Sequence, residues 1–272
     1  MPPRPRHTAT QDKQNRELRT GLQFGNPDPM PSASDIVHRY GPREFGSPYR
    51  STVPLLSLLL HDRSTFEKML GEIGVGGLAP MFLEYAVPPV RGRGKASHTD
   101  LMILNRPGCV AIEAKWTEPP YQTAGKWLAA RGTENAKNVL SGWLGAIGTL
   151  TNRTPKIDEV SGIAYQLIHR TASAARSGLP ANVVYLTFEP SPDASTASGE
   201  YYRQQMNDLW MLSGCTDHVR FHHAQVGIEP TGLGSELLGL PKGEETAELI
   251  IAALTDTHPL FSFTNVAVTT VE

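Results

Sequence analysis

Residues 100–116 read Asp-Leu-Met-Ile-Leu-Asn-Arg-Pro-Gly-Cys-Val-Ala-Ile-Glu-Ala-Lys-Trp, two apolar runs joined by Asn105-Arg106-Pro107-Gly108. Short β-favouring runs about such a turn predict an antiparallel hairpin, Asp100–Leu104 against Cys109–Trp116. A turn centred between Arg106 and Pro107 sets Leu104 against Cys109 and Asp100 against Glu113. Directly opposed residues share a face, with Cβ atoms about 5 Å apart. Lys115, two residues past Glu113, projects from that same face. Two carboxylates and an ammonium thus converge among Leu, Ile, Val and Ala neighbours. An apolar sheet accommodates such a trio only at a cost in free energy, so the hairpin implies a use for it.

Around the hairpin, apolar residues at three- and four-residue steps predict a helix over Val53–Ile73, closed by Gly74-Val75-Gly76-Gly77. Met81–Val87 reads as a first strand. Helices are expected near Glu134–Leu150, Glu159–Ser177, Tyr201–Ser213 and Glu244–Thr255, with strands at Ala181–Phe188 and Val219–Ile228. The order gives an α/β fold with a mixed central sheet flanked by helices. Residues 1–50, rich in Pro, Gly, Ser and Arg, read as a flexible tail and an irregular arm; 51–272 read as one domain. The arm's aromatics, interleaved with arginines, could stack on bases, but packing across their own domain is preferred.

Charge is segregated along the chain. Residues 1–188 carry 22 Lys and Arg against 15 Asp and Glu, whereas 189–272 carry 3 against 12. A polyanion would be drawn to the first region, especially to Arg91, Arg93 and Lys95 and to the stretch from Lys126 to Lys156. Cys109 and Cys215 form no CxxC pair, which argues against a disulfide framework or structural zinc and suits a reducing cytoplasm. No apolar run is long enough for a membrane span, and the opening Met-Pro-Pro-Arg-Pro-Arg does not read as a signal peptide.

Two carboxylates this close repel, and a hard divalent cation resolves the conflict. Mg²⁺ or Mn²⁺ held by Asp100 and Glu113, with the Ala114 backbone carbonyl as a further ligand, suits octahedral oxygen coordination completed by water and phosphate. Lys115 would stand beside the attacking water, orienting or deprotonating it.

Asp100, twelve intervening residues and Glu113-Ala114-Lys115 on the following strand resemble the D-x(n)-E-x-K motif of the PD-(D/E)XK nuclease superfamily. E-x-K alone is a weak signal; on an apolar strand behind an opposed Asp it gains specificity. The resemblance spans about residues 53–230 and implies the αβββαβ restriction-endonuclease-like core. It also implies Mg²⁺-dependent phosphodiester hydrolysis on DNA, of a restriction, repair or defence type, with Asp100, Glu113 and Lys115 catalytic. Thr99 stands where many members carry proline. Some members draw another acidic ligand from the first helix. Here Glu67 and Glu72 are available, and Glu84 on the first strand; Glu72 ranks first because it ends a helix approaching the sheet. Each is weighed against a solvated carboxylate.

His98 is weighed as a phosphate contact against an exposed loop histidine. Some members also place a Gln and a Tyr from the next helix beside the site. Tyr165 and Gln166 are adjacent rather than spaced in that way, so the physical case stands alone. Gln166 and Arg170 form an i,i+4 pair, as do Tyr165 and His169, and Gln166, His169 and Arg170 could hold a phosphate or orient Glu113. His222 and His223 point to opposite faces of a strand and cannot share a metal. Double-strand cutting would call for a homodimer. The rival readings are a catalytically silent nucleic-acid-binding or regulatory protein with this fold, an RNA-directed nuclease, and a hydrolase of small phosphorylated molecules.

Overall fold

The computed structural model describes residues 22–24, 28–29, 32–76, 79–105, 107–214, 216–256 and 258–271. The fold is α/β: an eight-stranded mixed sheet with helices on both faces. Its strands are β1 (Leu22–Phe24), β2 (Asp28–Pro29), β3 (Met81–Val87), β4 (Ser97–Asn105), β5 (Gly108–Lys115), β6 (Ala181–Glu189), β7 (Val219–Pro230) and β8 (Phe261–Val271). They lie in the order β2-β1-β3-β4-β5-β6-β7-β8. β3, β4 and β5 form an antiparallel meander, β6 and β7 continue parallel to β5, and β8 closes the far edge antiparallel to β7. No helix among the described residues is long and apolar enough to cross a membrane.

The hairpin register is the one the turn implies, Leu104 opposite Cys109 and Leu101 opposite Ile112, although Arg106 itself lies outside the described residues. Strand alternation sends Leu101, Ile112 and Ala114 into one core and Met102, Cys109 and Ala111 into the other. The first core is covered by α1 (Ala33–Tyr40), α2 (Pro42–Phe45), α3 (Thr52–His61), α4 (Arg63–Glu72) and α10 (Glu244–Thr255). The second is covered by α6 (Glu134–Ile147), α7 (Tyr165–Ala175) and α8 (Gly199–Ser213). Among the described residues there are also two short helices, α5 (Ala124–Arg131) and α9 (Gly232–Leu238).

Several expectations are corrected. The single helix expected over Val53–Ile73 is two, because Asp62 leaves helical geometry (φ −137°, ψ 64°). Its carboxylate accepts from the Thr65 N–H and hydroxyl, capping α4, while its own N–H closes α3 on the Leu58 carbonyl. Within residues 1–50, expected as a flexible tail and an irregular arm, residues 33–40 form α1 and 42–45 form α2, which bury Ile36, Val37 and Phe45 in the first core. Tyr49 donates to the Leu238 carbonyl (2.8 Å) and stacks on Trp116, so this part of the chain is packed against the domain. The tail, residues 1–21, and Cys215 lie outside the described residues. The helix expected from Glu159 begins at Tyr165; the preceding turns run past Lys156, whose N–H Glu159 accepts.

Candidate functional site

β5 ends in Glu113-Ala114-Lys115, and the structure buries both charged side chains, Glu113 at 3% and Lys115 at 2% exposure. A lone carboxylate would not stay ionised there. Three donors hold it. Lys115 Nζ donates to Glu113 Oε1 at 2.9 Å and Gln166 Nε2 to the same oxygen at 2.6 Å, while Arg170 Nε donates to Oε2. Gln166 and Arg170 lie one helical turn apart on α7, so a single helix face supplies two of the three donors. Burial alone would raise the Glu113 pKa, but Arg170 and Lys115 outweigh it and hold it at about 2. Burial likewise opposes the charge on Lys115, yet Glu113 prevails and the amine is held above its ordinary range. Lys115 is therefore an ammonium in this arrangement, with Nζ also 4.6 Å above the Tyr121 ring.

Asp100 is half-buried and lies where β4 parts from β5, one step beyond the last ladder pair, Leu101 with Ile112. Its Oδ2 accepts the Ala114 N–H at 2.8 Å and so ends the ladder in place of a backbone carbonyl. Burial, then the neighbouring Glu113, raises its pKa well above the usual carboxylate range. The expected pair is thus brought together but not symmetrically. Glu113 sits in an ion network, and Asp100 turns onto the backbone between Glu113 and Lys115.

Glu84 stands across from Asp100 on β3, bracketed by the pairs Leu83–Leu101 and Tyr85–Thr99. Its φ is +50°, a conformation that non-glycine residues adopt at a cost of the order of 1 kcal/mol. The inside–outside alternation reverses there, so Phe82 and Tyr85 both reach the second core. Burial raises the Glu84 pKa to about 7, with Arg170 opposing and Glu113 adding to the rise. Neither the two-residue periodicity of β3 nor the nine-residue loop after it could place this residue beside Asp100. A known register was needed.

Arg170 also donates through Nη1 to Ser97 Oγ (2.8 Å), which is 2.8 Å from His169 Nδ1. The serine then donates to Nδ1, which leaves the His169 proton on Nε2. That ring is held neutral by burial, then by Arg170. Of the auxiliary residues, Gln166 and Arg170 thus touch Glu113, and His169 joins through Ser97. Tyr165 does not: it stacks on Trp127 (4.0 Å) and accepts from Trp143 Nε1, joining α7 to α5 and α6. His98 is exposed on β4, with Nδ1 3.7 Å from Glu84 Oε2. Glu72 is exposed at the end of α4, whose Phe66, Met69 and Leu70 pack in the opposite core, so the sheet lies between it and Glu113. Glu67, on the same helix, pairs with Arg63.

Lys115 also borders a cavity of about 550 Å³ lined by residues of the segment from the end of β6 to the start of α8 and by Thr187 and His223. His223 Nδ1 takes a hydrogen bond from Arg203 and its Nε2 lies 3.0 Å from Thr187 Oγ1. His222 faces the other way, between Asn182 and Thr270.

A family model described as Domain of unknown function (DUF6946) matches residues 29–192, a span that contains Glu84, Asp100, Glu113, Lys115, Gln166 and Arg170. No curated protein and no solved structure matches the chain.

Proposed function

This chain belongs to the DUF6946 family, a domain of unknown function, and we propose that it is a Mg²⁺- or Mn²⁺-dependent nuclease hydrolysing DNA phosphodiesters. The observation that carries the reading is the meeting of Asp100, Glu113 and Lys115 at the end of one hairpin, with Asp100 on the Ala114 N–H and Lys115 on Glu113. The resemblance to PD-(D/E)XK nucleases, with its αβββαβ core, belongs to the same proposal.

The donor set fits a hard divalent ion. Asp100 Oδ1 accepts no hydrogen bond among the described residues, and its carboxyl is driven toward the neutral form by burial and by Glu113. Nearby positive charge would reverse that. No three Asp, Glu, His or Cys side chains converge among the described residues, so Asp100 and Glu113 would hold the ion with the Ala114 carbonyl, water and substrate. When bound, the ion supplies Lewis-acid polarisation of the phosphoryl group and an acidified water. Lys115, held as an ammonium, orients a nucleophile or steadies developing negative charge rather than taking a proton. Gln166 and Arg170 fix the rotamer of Glu113, and the cavity along residues 189–199 is a route to Lys115. A cytoplasmic setting, and a homodimer for double-strand cutting, complete the reading.

A second reading has its own observation. Both oxygens of Glu113 already carry side-chain donors, as befits a fold that binds nucleic acid without cleaving it. Supercoiled plasmid incubated with Mg²⁺ or Mn²⁺ separates the two. Nicking that Lys115→Ala reduces by two or more orders of magnitude supports the nuclease. An inert wild type on DNA and RNA alike, or an undiminished variant, overturns it.

A further inference from the structure

We propose that the groove between α6, the loop 148–157 and the C-terminal turn of α7 is a docking surface for the sugar–phosphate backbone of a nucleic-acid duplex. The groove encloses about 860 Å³, and Arg91, Lys156 and Arg176 stand on its walls with no carboxylate among the lining residues. All three cations are exposed, and none makes an ion pair with a described residue. They come from three separate segments, so the convergence is tertiary and cannot be read from a run of sequence.

The surroundings extend the charge. Across residues 88–96 and 119–178 there are ten lysines and arginines against three carboxylates. Arg170 is consumed by Glu113, and two of the three acids are already paired, Glu134 with Lys137 and Glu159 with Arg153. On the other side of the sheet, residues 33–72 and 232–256 together carry six lysines and arginines against ten carboxylates, while α8 adds one arginine and two carboxylates to the first side. The sheet therefore separates a cationic layer of helices from an acidic one, and a polyanion is steered to the first.

The groove's own chemistry narrows the occupant. A small-molecule site gathers a few convergent polar groups at a mostly apolar floor. Here none of the buried polar side chains lines the groove, and the floor is Leu144, Ala146, Pro155 and their neighbours. No aromatic ring lines it either, so it lacks the stacking platform that single strands use. What remains is exposed, unpaired cations around a concave surface, the way proteins contact phosphates without reading bases. Arg176, at the C-cap of α7, follows Arg170 by six residues, about 9 Å along the helix axis, so the helix that holds Glu113 through Arg170 also borders the groove.

This inference rests on the nucleic-acid part of the proposed function and not on its chemistry. Binding of a DNA duplex of about twenty base pairs in EDTA, followed against salt, tests it without cleavage. Neutralising Arg91, Lys156 and Arg176 together (R91A/K156A/R176A) is expected to cut the salt slope of log K by ~2.7 and weaken binding about tenfold or more. The control pair Lys68→Ala and Lys242→Ala, exposed cations away from the groove, leaves the slope unchanged. R91K/R176K keeps the charges and keeps the slope. If the triple variant fails a thermal-melt check, Lys156→Ala alone carries the test with an expected loss of ~0.9. An unchanged slope in the groove variants, a wild type that ignores the duplex, or equal binding to anionic phospholipid vesicles overturns the inference. Duplex binding without nicking in Mg²⁺ would remove the nuclease reading and leave the groove; nicking with groove variants of unaltered salt dependence would do the reverse.

Discussion

Replacing Glu113 by glutamine keeps the shape of the side chain and removes its charge, leaving Lys115 and Arg170 buried without their shared anion. The carboxyl's ordinary pKa of 4.5 falls to about 2 in the fold, its burial outweighed by Arg170 and Lys115. At 1.36 kcal/mol per pH unit that gap corresponds to about 3 kcal/mol in favour of the ionised form. Breaking one partner out of a buried pair typically costs 3–5 kcal/mol, roughly the same range. Asp100 softens the loss, because once Glu113 is neutral it is freer to ionise toward the same two cations. The expected destabilisation at pH 7 is therefore about 2–3 kcal/mol, read as a lowered urea midpoint at constant slope. The sign with pH follows from the depressed pKa. The Glu113 contribution is fully present above 4.5 and is lost as pH falls toward about 2, so wild type and variant converge in acid. A loss under about 1 kcal/mol at pH 7, or one that is the same at pH 7 and pH 3, would refute the ion network as the support of this strand end.

Asp100→Asn should act oppositely on stability and activity. A folded pKa raised by burial and by Glu113 makes the ionised carboxyl a liability above its ordinary 3.8, so the variant melts above wild type at pH 7, with the gap closing well below pH 3.8, while plasmid nicking disappears. Asp62→Ala removes the cap that starts α4 and should cost about 1 kcal/mol in urea unfolding. At Gly199, an added Cβ would overlap the buried His223 ring, so Gly199→Ala should lower stability by about 1–3 kcal/mol, with no such loss at Gly145, where a Cβ meets nothing.

What sequence reasoning captured is governed by separation along the chain. The Asp100–Lys115 hairpin closes through a tight turn, so one local feature determines which residues oppose each other, and the observed ladder follows it from Leu104 to Leu101. Gln166 and Arg170 are likewise related by helix geometry alone, which predicts that they act together but not on what. Glu84 needed the β3–β4 register, and nine intervening residues leave that free. β8 is hard to read from sequence although Phe-Ser-Phe-Thr alternates, because an edge strand with one partner is largely exposed and its apolar run is only Val-Ala-Val. The break at Asp62 was written in Asp62-Arg63-Ser64-Thr65, a capping signal hidden by leucines and phenylalanine that keep helical spacing across it.

The two faces of the sheet explain why the ionic cluster sits where it does. Under α3, α4 and α10 the core is mainly aliphatic and aromatic, with neutral hydroxyls such as Ser57 and Thr246 as its buried polar groups on those helices. On the other face α7 passes over β5 carrying Gln166 and Arg170 one turn apart, so the helix that covers the strand also neutralises it. A well-packed apolar set in place of a buried ionic triad is often as stable, since desolvating the charges consumes most of what their attraction returns. Stability alone is therefore a weak account of the cluster, and the proposed function supplies the other one. Glu113→Gln measures the structural share, and plasmid nicking by Lys115→Ala measures the rest.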